Sequence, residues 1–304
     1  MTRMDRQFVT AAVLRARWRR SGLRVLIVAF FVFWGSTPLA GAMPTVIIGT
    51  DNNSEDNGFV QPPAPPEAGF GLTQSLEFSD VLIGESPDET SGQEHVLIGR
   101  LGSDVLLAGL GDDVLIGGPE HFNPLSSDRL MGDRGRDLMI WSPGDGSELF
   151  DGGLGTDAVI VGLVGELVGN SETPVFEIQR DRRGGNVFLQ PETNLPRVDV
   201  GNTPGFCRVV DAASQPEAGA ELDALGLTHL VQFIVRAEAE NGIEDGNNGL
   251  LSTLHLKDVE WLICASEAGG EIVVLDLTVS PPQPATLDDI EPRAFRFRLL
   301  EIVF

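Results

Sequence analysis

The chain has a single lysine, Lys257, no tyrosine and only two cysteines among its 304 residues. It is also poor in positive charge, with 21 Lys+Arg against 45 Asp+Glu and a formal net charge of −24. The bases that exist crowd the start: Arg3, Arg6, Arg15, Arg17, Arg19, Arg20 and Arg24 precede residue 43, with Asp5 as the one acid there. The remainder is therefore more acidic still, and would repel a phosphate backbone, which excludes nucleic acid as a partner. Cys207 and Cys264 stand in no CxxC or Cys/His spacing, so zinc and thiol redox chemistry are not expected. HExxH, GxSxG, a P-loop and a helix-opening GxGxxG are all missing. The four histidines, His95, His121, His229 and His255, are scattered. Pairs of carboxylates arise by chance in so acidic a chain, so glycosidase-like pairs carry no signal. No catalytic residue is assigned.

Long apolar runs are lacking too. The one strictly apolar stretch, residues 25–34 (VLIVAFFVFW), is about half the roughly 20 residues that a bilayer requires. It follows the Arg-rich start and precedes Ala40-Gly41-Ala42, a small-x-small cleavage pattern. That order predicts a secretory signal peptide over 1–42, a mature start at Met43 and no stable membrane span once it is removed. Arg19-Arg20 leaves both the Sec and the twin-arginine route open. The expected location is extracellular or the cell surface. In such a compartment Cys207 and Cys264 either pair as a disulfide or stay as buried thiols.

What the chain does have is a nine-residue repeat. Residues 99–107 (GRLGSDVLL) and 108–116 (AGLGDDVLI) are in perfect register, and 132–140 (GDRGRDLMI) and 152–160 (GGLGTDAVI) repeat the pattern. Partial copies occur at 46–51 (VIIGTD), 79–84 (SDVLIG), 93–99 (QEHVLIG), 127–132 (SDRLMG) and 143–150 (PGDGSELF). The last three positions of each unit form a short strand whose middle residue, the eighth, points inward: Leu82, Leu97, Leu106, Leu115, Leu130, Met139, Leu149 and Val159. Glycines make the turns. Two units complete one coil, so the turns fall in two columns along the edges of a parallel stack. Asp80, Asp104, Asp128 and Asp145 are expected in one column. Asp113, Asp137 and Asp157 are expected in the other, with His95 at its start. Stacked turn carbonyls cannot all pair with one another, and a calcium ion can take them together with the aspartate. A metal-free parallel β-helix with capped turns is the competing outcome.

These repeats resemble the haemolysin-type (repeats-in-toxin) calcium-binding family, whose signature is G-G-x-G-x-D-x-U-x. The resemblance covers about residues 76–162. It implies a parallel β-roll that folds on binding several Ca2+ ions, with metal-ligand roles for the matched Asp80, Asp104, Asp113, Asp128, Asp137, Asp145 and Asp157 and for the turn residues Gly102, Gly111, Gly135 and Gly155.

The expected fold class is all-β: a parallel β-roll with a β-rich C-terminal extension or cap. Residues 1–42 are the signal, and 43–75 are a first rung interrupted by a Pro-rich insertion near 58–70. Residues 76–162 form the roll, and 163–304 a C-terminal region. In that region a hairpin is expected about 182–185, a helix from the Ser214-to-Glu217 capping box through Leu225, and strands at 229–235, 254–262, 271–279 and 295–304. The Leu-x-x-Val-Glu element ending at Glu260 resembles the segment that closes such rolls. The functional expectation is calcium binding by an exported, non-enzymatic structural, surface or matrix protein, with adhesion one role open to it. The alternative is a secreted polysaccharide-acting hydrolase or lyase that uses the roll as a calcium-dependent folding module. No protein or polysaccharide partner is named by the sequence.

Overall fold

A computed structural model describes residues 43–49, 79–85, 92–100, 102–119, 127–167, 174–175, 187–211, 215–236 and 252–303. The signal segment, the Pro-rich insertion, the turn of the 182–185 hairpin and Ser214 of the capping box lie outside the described residues.

The structure is mostly β, in two eight- and seven-membered runs of strands that the chain visits alternately. The first sheet contains, in spatial order, β1 (Thr45–Ile48), β3 (His95–Ile98), β5 (Val114–Ile116), β7 (Leu138–Trp141), β10 (Ala158–Val161) and β18 (Trp261–Ala265), all parallel. β19 (Ile272–Asp276) and β20 (Gln283–Ala285) follow antiparallel. The second sheet stacks β2 (Val81–Ile83), β4 (Val105–Gly111), β6 (Arg129–Gly135), β8 (Leu149–Asp151) and β17 (Ser252–Lys257) in parallel. β16 (His229–Val235) and β15 (Gly205–Val209) continue it antiparallel. β9 (Leu154–Gly155) pairs the end of β6, while β11 (Leu163–Val164) pairs β14 (Val198–Asp199) and β12 (Glu166–Leu167) pairs β13 (Pro174–Val175). Helix α1 spans Pro216–Leu225 and α2 spans Arg293–Ile302. Among the described residues no helix is long and apolar enough to cross a membrane.

The eighth-position residues line up as expected. Leu82, Leu106, Leu130, Phe150 and Leu256 are in register on one sheet, and Leu97, Leu115, Met139, Val159 and Leu262 on the other. All ten join one core between the sheets. One expectation is corrected: Phe150, not Leu149, takes the inward place. The 142–148 turn is longer than a repeat turn, and a shift of one residue in a strand exchanges its faces.

The first sheet is buried on both faces, which is why its strands read as unbroken apolar runs such as LMIW and AVIV. Its outer row, including Val96, Val114, Leu138 and Ile160, packs against Leu195, Val198, Phe295, Leu299 and Ile302. Here the strand expected over 295–304 is wrong. Phe295, Leu299 and Ile302 are spaced i, i+4, i+7, so a helix brings all three onto the sheet together. The 254–262 strand is likewise two strands, broken at Asp258, whose φ of 51° turns the chain from one sheet to the other. α1 ends at Leu225 as expected, with Pro216 in its first turn and Gly226 closing it at φ 65°, but its N-cap is Gln215, which makes no side-chain capping bond, and not Ser214 of the expected capping box.

The C-terminal region thus lengthens both sheets. It also ties them together, because Cys207 on β15 and Cys264 on β18 form a disulfide with Cα atoms 6.1 Å apart. Trp141 and Phe233 pack nearby across the same interface, ring centres 4.8 Å apart and planes tilted by 52°. The bond closes a loop with a sequence separation of 57 residues. Replacing both cysteines by serine should lower the unfolding free energy by about 4 kcal/mol on the chain-entropy account. Denaturant melts of the two proteins measure this, and thiol labelling of the unreduced, denatured wild type should find no free thiol.

Candidate metal centre: two columns of buried carboxylates

The residue just before each strand sits at an edge of the stack. Along one edge these residues are Asp80, Asp104, Asp128 and Glu148, preceding β2, β4, β6 and β8. Along the other they are Asp113, Asp137, Asp157 and Glu260, in line with His95, the first residue of β3. Oδ1 of Asp104, Asp113, Asp128, Asp137 and Asp157 accepts the backbone N–H of the equivalent residue one coil earlier. On the first edge Asp80 N donates to Asp104 (2.6 Å) and Asp104 N to Asp128 (2.7 Å). On the second, His95 N donates to Asp113 (2.6 Å), Asp113 N to Asp137 (3.0 Å), Asp137 N to Asp157 (2.8 Å) and Asp157 N to Glu260 Oε2 (2.6 Å). The first strand residue of the next coil meanwhile donates to the aspartate's own carbonyl, as Arg129 N does to Asp104 O (2.9 Å). The short polar side chain therefore fixes the register of each coil on the last.

The second carboxylate oxygen is left over. Oδ2 of Asp104, Asp113, Asp128, Asp137 and Asp157 is buried and accepts no hydrogen bond. A carboxylate in that position is costly when ionised unless a cation or a proton joins it. Burial, first of all, pushes Asp104 and Asp137 up to about 9 and Asp157 to about 7, and raises Asp128 well above its usual value. Repulsion between neighbours in a column adds to the rise, as Asp128 acts on Asp104 and Asp157 on Asp137. Asp113 rises only to about 6, because burial is opposed by bonds from His95 and by Arg298.

The turn glycines give these oxygens their room. A Cβ on Gly99 would lie 2.4 Å from Asp104 Oδ2 and 2.5 Å from Gly117 O, and one on Gly132 would lie 2.4 Å from Asp137 Oδ2 and 2.6 Å from Gly152 O. Both of these turns thus gather one carboxylate oxygen and one carbonyl oxygen in a space that only glycine leaves open. The second glycine of the motif stacks carbonyls directly: a Cβ on Gly135 would lie 1.4 Å from Gly111 O, and one on Gly155 1.6 Å from Gly135 O. Gly111, Gly135 and Gly155 take φ of 133°, 148° and 155°, and Gly102 takes 132° in the first-edge turn. The donor set is all hard oxygen, with carboxylates and backbone carbonyls alternating, and it fits calcium rather than a soft metal. Among the described residues no three Asp, Glu, His or Cys side chains converge as a metal cluster, so carbonyls would have to complete any shell.

Of the residues singled out by sequence, Asp80, Asp104 and Asp128 share one edge, and Asp113, Asp137 and Asp157 the other, as expected. Asp145 is corrected. It closes a local turn, taking the Ser142 N–H on Oδ2 at 2.7 Å, and stands beside Asp128 instead of in register. Glu148 holds the place assigned to it. Sequence reasoning missed Glu148 and Glu260 as column members; the signal was an acid directly before an apolar strand, with Glu in place of Asp. A groove of about 650 Å3 also runs outside the second sheet, past Ile83, Leu107, Met131 and Asp151 to Lys257, whose ammonium is paired with Asp151 at 2.6 Å.

No family model, curated protein or solved structure matches the chain.

The raised carboxyls set a sign for pH. Folded, metal-free protein holds protons that the unfolded chain releases above about 3.8, the ordinary aspartate value. Their contribution is therefore fully present below that pH and is lost as pH rises toward about 9. In the presence of chelator, calorimetric Tm should fall steadily between pH 5 and pH 9. A Tm that rises over that interval would contradict the burial of these groups in the metal-free state.

Proposed function

We propose that this chain is an exported calcium-binding structural protein whose two alternating parallel sheets form a β-roll. Calcium would be held along both edges by Asp80, Asp104 and Asp128, and by Asp113, Asp137 and Asp157, together with the carbonyls of the glycine turns. The observation that carries the reading is the row of buried Oδ2 atoms without a hydrogen bond, of which those of Asp104, Asp137 and Asp157 lie beside a turn carbonyl. Bound calcium supplies positive charge and several oxygen-binding positions, which answers both the carboxylate and the carbonyl at once. The nine-residue rule and its resemblance to the haemolysin-type repeats support the same ion. The Arg-rich, apolar, small-residue start supports export, and the Cys207–Cys264 bond is in keeping with an oxidising compartment. Binding to the folded chain alone would make calcium a folding ligand, so that the roll is stable where the ion is plentiful, outside the cell.

Asp113→Asn with Asp137→Asn tests this. Asparagine keeps the oxygen that accepts the backbone N–H of the preceding coil and removes the charge. The double variant should therefore fold in chelator at least as well as wild type, yet bind at least one calcium ion fewer by isothermal titration calorimetry. Its remaining ions should bind more weakly, since each coil templates the next. An unchanged ion count and affinity would overturn the assignment of the edges.

A further inference from the structure

The turn after β5 differs from the turns that pair one carboxylate with one carbonyl. A Cβ on Gly49, Gly99, Gly132 or Gly152 would meet one carboxylate oxygen and one backbone carbonyl of the next coil. One on Gly117 would meet two carboxylates, Asp128 Oδ2 at 2.2 Å and Glu148 Oε1 at 2.7 Å. The reason lies in the 142–148 turn. The carbonyl of Ser142, which follows β7 as Gly117 follows β5, accepts the Asp145 N–H at 2.9 Å. The longer side chain of Glu148 reaches back one coil and takes the place which that carbonyl would have filled.

Two carboxylates thus face one small space from adjacent coils. Asp128 and Glu148 are both fully buried, and Asp128 Oδ2, aimed into the space, accepts no hydrogen bond. Asp145, 1% exposed, adds a third negative charge that acts on Asp128. Like charges so placed and so dry repel strongly unless a cation lies between them. The oxygens are hard, and sites with more carboxylates bind calcium more tightly.

We propose that Asp128 and Glu148 together bind one calcium ion beside Gly117, more tightly than any turn that offers a single aspartate. The proposal rests on reading the edges as calcium-binding and names their tightest member. That site lies in mid-stack, between the strict repeats and the C-terminal coil of β17 and β18, so its ion would be the first bound and would join the two parts.

Terbium can report on the site directly. Trp141 ends β7 at the same turn, its indole Nε1 donating to Gly146 O at 3.1 Å, so terbium bound there should emit when tryptophan is excited. The full chain is titrated with calcium by calorimetry and with terbium by luminescence, as wild type, Glu148→Gln, Asp145→Asn and Trp141→Phe. Wild type should show one tight ion that gives tryptophan-sensitised emission. E148Q should weaken that ion by roughly tenfold or more, the order by which ligand charge separates classes of calcium site, and leave the others. In chelator E148Q should melt no lower than wild type, because a buried charge has gone; a merely structural glutamate would lower both melts alike. D145N should keep the ion count with a smaller loss of affinity. Should E148Q fail to fold, W141F decides: loss of the tight ion's emission supports the site, and full emission overturns it. Unchanged calcium affinities in E148Q, with wild type binding several ions, would overturn this proposal and leave the edge reading standing. A wild type that binds neither ion would remove the edge reading itself.

Discussion

One hydrogen bond, repeated, sets the rest of the structure: the N–H of Asp80 and Asp104 on one edge, and of His95, Asp113, Asp137 and Asp157 on the other, donates to the carboxylate of the residue one coil further on. It explains why aspartate stands at this position. The side chain must be short enough to stay inside the turn and must present an acceptor at a fixed height. The bond sets the register of both stacks, and the register in turn places Leu106 on Leu130 and Leu115 on Met139 in a shared core. Its cost is a second oxygen held in a dry turn. A neutral acceptor would serve the register as well, so the charge needs a reason of its own, and the proposed calcium ions provide one.

The sheets are treated unequally. The first is covered on its outer face by the segment around Leu195 and Val198 and by α2, so that it is buried on both sides. The second keeps Val81, Ile83 and Leu107 more than a third exposed. The C-terminal region accounts for this difference. It leaves the stack after β10, returns to add one parallel strand to each sheet, and is pinned to both by the Cys207–Cys264 bond. α2 also carries Arg298 to the second edge, where its guanidinium donates to the Asp112 carbonyl and lies 3.5 Å from Glu94. That is the edge position where the column offers His95 in place of an aspartate.

The repeat made the stack legible because its physics is local. A nine-residue period, an inward apolar residue and a glycine turn fix which aspartates share an edge, and Asp104, Asp113, Asp128, Asp137 and Asp157 fall where the period puts them. Glu148 was hidden because an enlarged turn separates it from the strict copies, which made Asp145 look like the sixth position. Glu260 was hidden for another reason: it reaches its column only after a long excursion of the chain, and pairing over about a hundred residues leaves no periodic trace. The last helix was misread because FRFRLLEIVF alternates like a strand while also spacing Phe295, Leu299 and Ile302 for a helix. Only the apolar outer face of the first sheet decides between them.

The central claim is that calcium completes these turns. Far-ultraviolet circular dichroism of the chain, followed by thermal melting, tests it most directly when calcium is titrated into chelated protein at neutral pH. The account predicts a saturable gain of β signal and a Tm that climbs sharply with calcium. Superimposable spectra and melting curves in calcium and in chelator would contradict it.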